Sequence, residues 1–153
     1  MEHKVRTLEP EQLIPQLLEM LEVTEPVPLV ISGSSMTPFL VHGRDTVYLS
    51  KEKEPLKRGD MVLYRRDSGS YILHRICRVE QGAYTMVGDA QTRLEPGIRP
   101  DQILAKVTAV RRKGKLLRQG SFLWDFFEKV WIRMVPLRPA VMTGYAGLKK
   151  LFH

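Results

Sequence analysis

Between residues 45 and 118 the chain is a series of short apolar or β-branched runs, each closed by turn residues. The runs are Asp45–Ser50, Met61–Arg66, Tyr71–Val79, Tyr84–Val87 and Ile103–Arg111. Between them stand Lys-Arg-Gly-Asp at 57–60, Asp-Ser-Gly-Ser at 67–70, Glu-Gln-Gly at 80–82 and Arg-Lys-Gly-Lys at 112–115. Glycine beside Asp, Ser or Lys marks tight turns, so Asp67–Ser70 reads as a hairpin and Gly82 as the next turn of a meander. Several short strands with tight turns predict a mainly β fold, a small, coiled, partly closed antiparallel domain resembling a β-barrel.

Helical signals flank this region. Over residues 9–23, Leu13, Ile14, Leu17, Leu18 and Leu21 form a helix stripe, with Pro10 suited to the first turn. Glu-Pro-Val-Pro at 25–28 ends that helix and leads into a short strand, Leu29–Ser32. Ser121 can cap a helix running to about residue 135, in which Asp125, Glu128, Lys129 and Arg133 leave a wide apolar face of Phe122, Leu123, Trp124, Phe126, Phe127, Val130, Trp131 and Met134. Pro136 and Pro139 break it before a second, basic helical segment from about 140 to 152. The expected organisation is an N-terminal helical segment (1–28), a β domain (29–118) and an amphipathic basic helical tail (119–153). Packing on the domain is the first expectation for the tail, since amphipathic helices usually bury their apolar face within the protein. Pairing with another subunit, or lying on an anionic membrane surface, are the other two.

With 153 residues, 43% hydrophobic and 27% charged, the chain has the composition of one ordinary globular domain. Its single cysteine, Cys77, can form no internal disulfide, so nothing demands an oxidising compartment. Glu9, Glu11, Glu19, Glu22 and Glu25 occupy the region where a signal peptide would be basic and then apolar, and no apolar run approaches the ~20 residues of a membrane span. A cytoplasmic location, peripheral to the inner face of a membrane if the tail binds lipid, is expected. Lys and Arg exceed Asp and Glu by seven, concentrated at 111–118 and after Arg133. That excess favours acidic surfaces, but the aromatic residues sit in the tail and do not interleave with lysines on strands as base-stacking platforms require. Nucleic acid is therefore not the expected partner.

Two residues suggest chemistry. Ser35 lies in Ser-Gly-Ser-Ser-Met-Thr-Pro-Phe-Leu at 32–40, where Gly33 can adopt positive φ and Pro38 fixes the chain just after the turn. His74 lies in the run Tyr-Ile-Leu-His-Arg-Ile-Cys at 71–77, on a strand face shared with Ile72 and Ile76. A serine hydroxyl is a poor nucleophile until a base takes its proton, and neutral imidazole suits that task. Asp89, in Gly88-Asp-Ala90, could accept the second imidazole N–H, as the third member of a triad does. The Ser35 N–H, with the turn at Ser34 and the Ser32 hydroxyl, could serve a developing oxyanion, and Met36 completes the substrate-binding positions. His3, His42 and His153 lie near termini or in a loop and form no metal-like cluster, so neither metal nor cofactor is expected.

Four ordered segments resemble a family. Val30–Leu40, Leu56–Tyr64, Leu73–Ile76 and Met86–Asp89 are similar to the boxes of type I signal peptidases and of the self-cleaving repressors of the SOS response. The resemblance covers roughly residues 29–110. It implies a coiled, mostly antiparallel β fold, Ser35 as nucleophile, His74 as base in the histidine-using branch, Asp89 as a supporting carboxylate and small residues before the scissile bond. Phe39 stands where the bacterial enzymes usually have threonine, and Ala90 where asparagine commonly follows Gly-Asp. The function expected is a serine endopeptidase that cuts a precursor or leader peptide. One alternative is a self-cleaving regulator, although residues 1–34 hold no alanine and only Gly33, and the Ala146-Gly147 bond lies in the tail. The other is a non-catalytic basic β domain that binds nucleic acid. Oligomeric state is left open by the sequence.

Overall fold

A computed structural model describes residues 10–151; Glu9, His3, His153 and the last residues of the tail fall outside that range. Eight strands form one antiparallel sheet: β1 (Val27–Val30), β2 (Thr46–Ser50), β3 (Met61–Arg65), β4 (Tyr71–Glu80), β5 (Ala83–Val87), β6 (Glu95–Ile98), β7 (Ile103–Arg112) and β8 (Lys115–Leu117). Their order is β1-β2-β7-β3-β4-β5-β6, with β8 against β7. The mainly β, antiparallel expectation is met. The sheet is not closed into a barrel: β1 pairs with β2 alone and β6 with β5 alone, so both remain edges.

Local chemistry explains most of this. The β3–β4 hairpin turns at Asp67–Ser70, where Gly69 has φ of 98° and the Arg66 N–H donates to the Ser70 carbonyl at 2.8 Å. The two long strands carry irregularities. Between Ile76 and Arg78 the β4–β5 register shifts, so strict alternation ends at Cys77. Edge strand β1 begins at Val27 and includes Pro28, earlier than the expected Leu29, because an edge position does not need every backbone N–H in the ladder. Beyond Val30 the chain leaves the ladder, although the Ile31 N–H still donates to the Asp45 carbonyl at 2.9 Å.

The sheet divides two apolar clusters. The larger contains Met61, Leu63, Ala105, Val107, Met36, Phe39 and Leu40, together with Ile14, Leu17 and Leu21 of α1 (Pro10–Leu21) and Trp124, Phe127 and Trp131 of the C-terminal segment. The smaller, on the opposite face, contains Leu56, Val62, Tyr64, Ile76, Met86 and Ile98. The three sequence segments thus share one main core.

The C-terminal segment is not one regular helix. A short turn, α2 (Phe122–Asp125), widens into a π-helical turn at Phe126–Val130 and tightens to a 3₁₀ turn at Trp131–Arg133. The changes of pitch accompany burial of Trp124, Phe127, Trp131 and Ile132 together. Each buried aromatic contributes on the order of 2–3 kcal/mol. Phe39 stacks on Phe127 at a 4.8 Å centroid distance and meets Trp124 edge-on at 6.3 Å, so the segment packs directly behind the turn that holds Ser35. The last helix, α3 (Arg138–Leu151), follows. It touches the core through Met142 but leaves Leu137 before it, and Val141, Tyr145 and Leu148 along it, exposed.

Candidate functional site

Residues 31–45 form a loop tied to itself. Asp45 is fully buried and accepts the N–H groups of Val41 at 2.8 Å and Lys113 at 3.1 Å, while the Gly43 N–H donates to the Ile31 carbonyl at 2.9 Å. Burial of the Asp45 carboxylate would push its pKa up, but the Arg44 guanidinium and the Lys113 and Val41 N–H donors hold it below the usual range. Met36, Phe39 and Leu40 plug the loop into the larger core. Phe39 therefore holds the turn by packing.

Ser35 is half-buried within this loop. Its carbonyl oxygen accepts the Ala90 N–H at 2.9 Å. A Cβ placed on Gly88 would lie 2.5 Å from that same oxygen, closer than carbon and oxygen can pack. Glycine at 88 is what lets the Gly-Asp-Ala segment lie directly on Ser35. On the other side of that segment is β4. The last pair of the β4–β5 ladder at this end is Arg75 with Val87, each one residue from His74 and Gly88 in sequence. Gly88 thus carries the chain from the end of that ladder onto the Ser35 backbone.

No hydrogen bond joins the Ser35 hydroxyl to His74. The turn is anchored in the larger core, whereas the imidazole lies with the smaller cluster. The Ser35 hydroxyl and His74 Nε2 are both left unengaged by the described residues. Among the described residues His74 Nε2 has no partner, and it is not sealed from solvent, because the only sealed, unpartnered side-chain atoms among them are Glu128 Oε2 and Arg138 Nε. The Ser35 hydroxyl has no partner either, and the N–H groups of Ser34, Ser35 and Met36 find no acceptor among the described residues. Ser32 and Ser34 are exposed, Met36 is buried, and the Ser34 carbonyl is occupied by the Thr37 N–H and hydroxyl at 3.2 and 2.9 Å.

His74 Nδ1 lies 3.3 Å from the Tyr64 hydroxyl, which donates to Glu95 Oε1 at 2.7 Å. Arg66 grips the same carboxylate with two bonds of 2.9 Å. Burial among apolar side chains pushes the imidazole pKa down to about 4, against the pull of Glu95 and Asp89. His74 is therefore neutral at physiological pH. Burial, followed by the Glu95 bond, raises the Tyr64 pKa, and the phenol stays protonated.

Asp89 does not take the place expected of it. Both its oxygens are held by Arg75, through Nε at 2.9 Å and Nη2 at 3.0 Å, and both residues are buried. Arg75 also donates to the Gly59 carbonyl at 2.8 Å and lies over the Phe39 ring. Neighbouring residues on a strand point to opposite faces, so the carboxylate bound to Arg75 serves the larger core and not the imidazole of residue 74. The backbone of the same segment is braced from the C-terminal side: Trp131 Nε1 donates to the Asp89 carbonyl, and Arg138 donates to the carbonyls of Gly88 and Gln91, all at 2.8 Å.

Sequence reasoning passed over Tyr64, Glu95 and His42. Tyr64 could have been found: the Asp67–Ser70 hairpin sets Val62 opposite His74, so Tyr64 is a diagonal neighbour on the same face. His42 lies in the serine loop itself, and its Nδ1 accepts the Gly33 N–H at 2.9 Å. That bond removes Gly33 from the set of free N–H donors. Among the described residues no three His, Cys, Asp or Glu side chains gather as metal ligands, and no helix is long and apolar enough to cross a membrane. No protein-family model, curated protein or solved structure matches this chain.

Proposed function

We propose that the chain is a serine endopeptidase that cuts a precursor or leader peptide, with Ser35 as nucleophile and His74 as general base. One observation carries the reading: Gly88, one residue past the Arg75–Val87 pair, lies against the Ser35 backbone, while the hydroxyl, the imidazole Nε2 and the N–H groups around Ser35 are left without partners among the described residues. Groups that carry out acyl transfer must be held in place yet unengaged before substrate arrives. In free enzymes the catalytic hydrogen bond is often long and closes only around substrate.

In this mechanism the Ser35 oxygen bonds to the scissile carbonyl carbon as its proton passes to His74 Nε2. The carbonyl oxygen takes the negative charge and is met by the N–H groups of Ser35 and its neighbours. Collapse breaks the C–N bond as His74 returns the proton to the leaving amine. Water, giving its proton to the same imidazole, then adds to the acyl carbon, and the C–O bond to Ser35 breaks as His74 returns that proton to the serine oxygen. Asp89 and Arg75 keep the loop in position and take no proton.

We also assign α3 a place on an anionic membrane surface. Leu137, Val141, Tyr145 and Leu148 recur at helical spacing and are exposed, and the chain carries a net charge of +7.

The test is cleavage of a quenched peptide library carrying small residues before the scissile bond, by wild type and by Ser35→Ala, His74→Ala and His42→Ala. The first two substitutions should abolish turnover and the third should leave it within about threefold. Activity that survives Ser35→Ala ends the proposal; loss with His42→Ala and not with His74→Ala transfers the base to the loop histidine.

A further inference from the structure

The bonds behind His74 decide where its proton sits. A tyrosine hydroxyl has one hydrogen, and Tyr64 has two neighbours to offer it, Glu95 Oε1 at 2.7 Å and His74 Nδ1 at 3.3 Å. The carboxylate can only accept, and its bond is the shorter and charge-assisted one. Arg66 keeps Glu95 ionised: burial alone would raise the carboxyl pKa, but the Arg66 and Tyr64 hydrogen bonds hold it below the usual range. The Tyr64 proton therefore belongs to Glu95. Toward His74 the phenol oxygen has only a lone pair, which a hydrogen on Nδ1 can meet.

We propose that Tyr64 and Glu95 are positioning residues that fix His74 as its Nδ1–H tautomer through the chain His74 Nδ1–H, Tyr64 hydroxyl, Glu95 carboxylate, Arg66. The inference rests on the reading of His74 as the base and extends it. With the hydrogen on Nδ1, Nε2 holds the lone pair, and Nε2 is the nitrogen without a partner among the described residues. The opposite tautomer would present an N–H where a proton has to be accepted. In a Ser-His-Asp triad a carboxylate performs this orientation directly. Here it acts through a phenol, because the nearer acid, Asp89, is committed to Arg75. The charged and titratable groups around the imidazole are Tyr64 on β3, Glu95 on β6, Arg66 after β3 and Asp89 in the loop after β5.

The tautomer is read by two-bond proton–nitrogen correlation NMR on the full chain labelled with ¹⁵N-histidine at pH 7, with His74→Ala assigning the signals. Wild type and Ser35→Ala should both show His74 protonated at Nδ1 and bare at Nε2. Tyr64→Phe should move the population toward Nε2–H, the form free histidine favours in water. Glu95→Gln, which keeps an acceptor for Tyr64 and drops the charge, should produce a mixture and guards against a folding defect in Tyr64→Phe. Both variants should lower kcat on the order of 10²-fold with KM little changed, less than the ~10⁴ lost when a direct triad carboxylate is neutralised. Nε2–H in wild type, or Nδ1–H retained in both variants, overturns the relay. Nδ1–H in wild type together with full cleavage by His74→Ala overturns the peptidase reading alone.

Discussion

The carbonyl oxygen of Ser35 accepts the Ala90 N–H at 2.9 Å, and Gly88 lies so close beneath it that a methyl group there would come within 2.5 Å. Replacing Gly88 by alanine must therefore push the serine loop off the β5 end. Overpacking of this kind costs about 1–3 kcal/mol, or roughly 3–10 °C of Tm in a chain of this size. A displacement near 1 Å is worth on the order of 10²-fold in rate. Gly88→Ala should show both losses by thermal melting and by kcat. Wild-type turnover in a folded Gly88→Ala protein would mean that the Ser35–Gly88 contact does not position the chemistry.

The β-strand content, the two hairpins around Asp67–Ser70 and Gly82, and the stripe of α1 were legible because each depends on neighbours within a few residues. The insertion of β7 between β2 and β3 was not, since the sheet order depends on pairing between residues far apart in sequence, Val47 with Val110 and Val62 with Lys106 among them. β6 was missed for a local reason. Its Pro96 and Gly97 are poor strand formers, tolerated only on an edge. With β6 unseen, Glu95 could not be placed beside Tyr64. The segments of Ser35 and His74 could be placed in a turn and on a strand from their own residues, whereas the carboxylate of Asp89, expected at the imidazole, is held elsewhere. Its partner, Arg75, is adjacent to His74 in sequence and belongs to the other face of the sheet.

His74 sets the pH behaviour. Its pKa is lowered by burial, to about 4 from 6.5, so the unfolded chain binds the proton more tightly than the fold does. Between pH 6.5 and 4 the unfolded state holds more protons, and stability falls as the solution is acidified through that window. The loss amounts to roughly 3 kcal/mol once both states are protonated. Denaturant titrations of wild type and a folded His74→Gln variant should diverge in slope against pH between 4 and 6.5. The same shift moves the acidic limb of kcat/KM toward pH 4. An acidic limb that stays near 6.5 would show that the imidazole is not buried in this way.

Arg75 and Asp89 are both sealed from solvent and paired with each other. Removing one charge leaves the other unpaired, which costs about 3–5 kcal/mol. Asp89→Ala should melt far below wild type. At a temperature where it remains folded, its His74 tautomer should be that of wild type. A carboxylate that orients His74 directly would give the reverse, with a changed tautomer at modest cost in stability.

The exposed residues Val141 and Tyr145 of α3 make the membrane assignment testable without disturbing the core. Substitutions at such positions typically change stability by less than about 0.5 kcal/mol. Wild type should co-sediment with vesicles containing phosphatidylglycerol and remain in solution with pure phosphatidylcholine, because the attraction combines apolar burial with charge. Raising ionic strength from about 0.05 to 0.5 M should weaken that binding by shortening the screening length. Val141→Glu combined with Tyr145→Glu removes apolar contact and adds repulsion, and should release the protein at low salt while leaving peptide cleavage in solution unchanged. Equal binding to neutral vesicles, or none to anionic ones, removes the membrane from the account. If light scattering then gave a dimer that the double substitution splits, the stripe Leu137, Val141, Tyr145, Leu148 would be the contact between two copies of the chain.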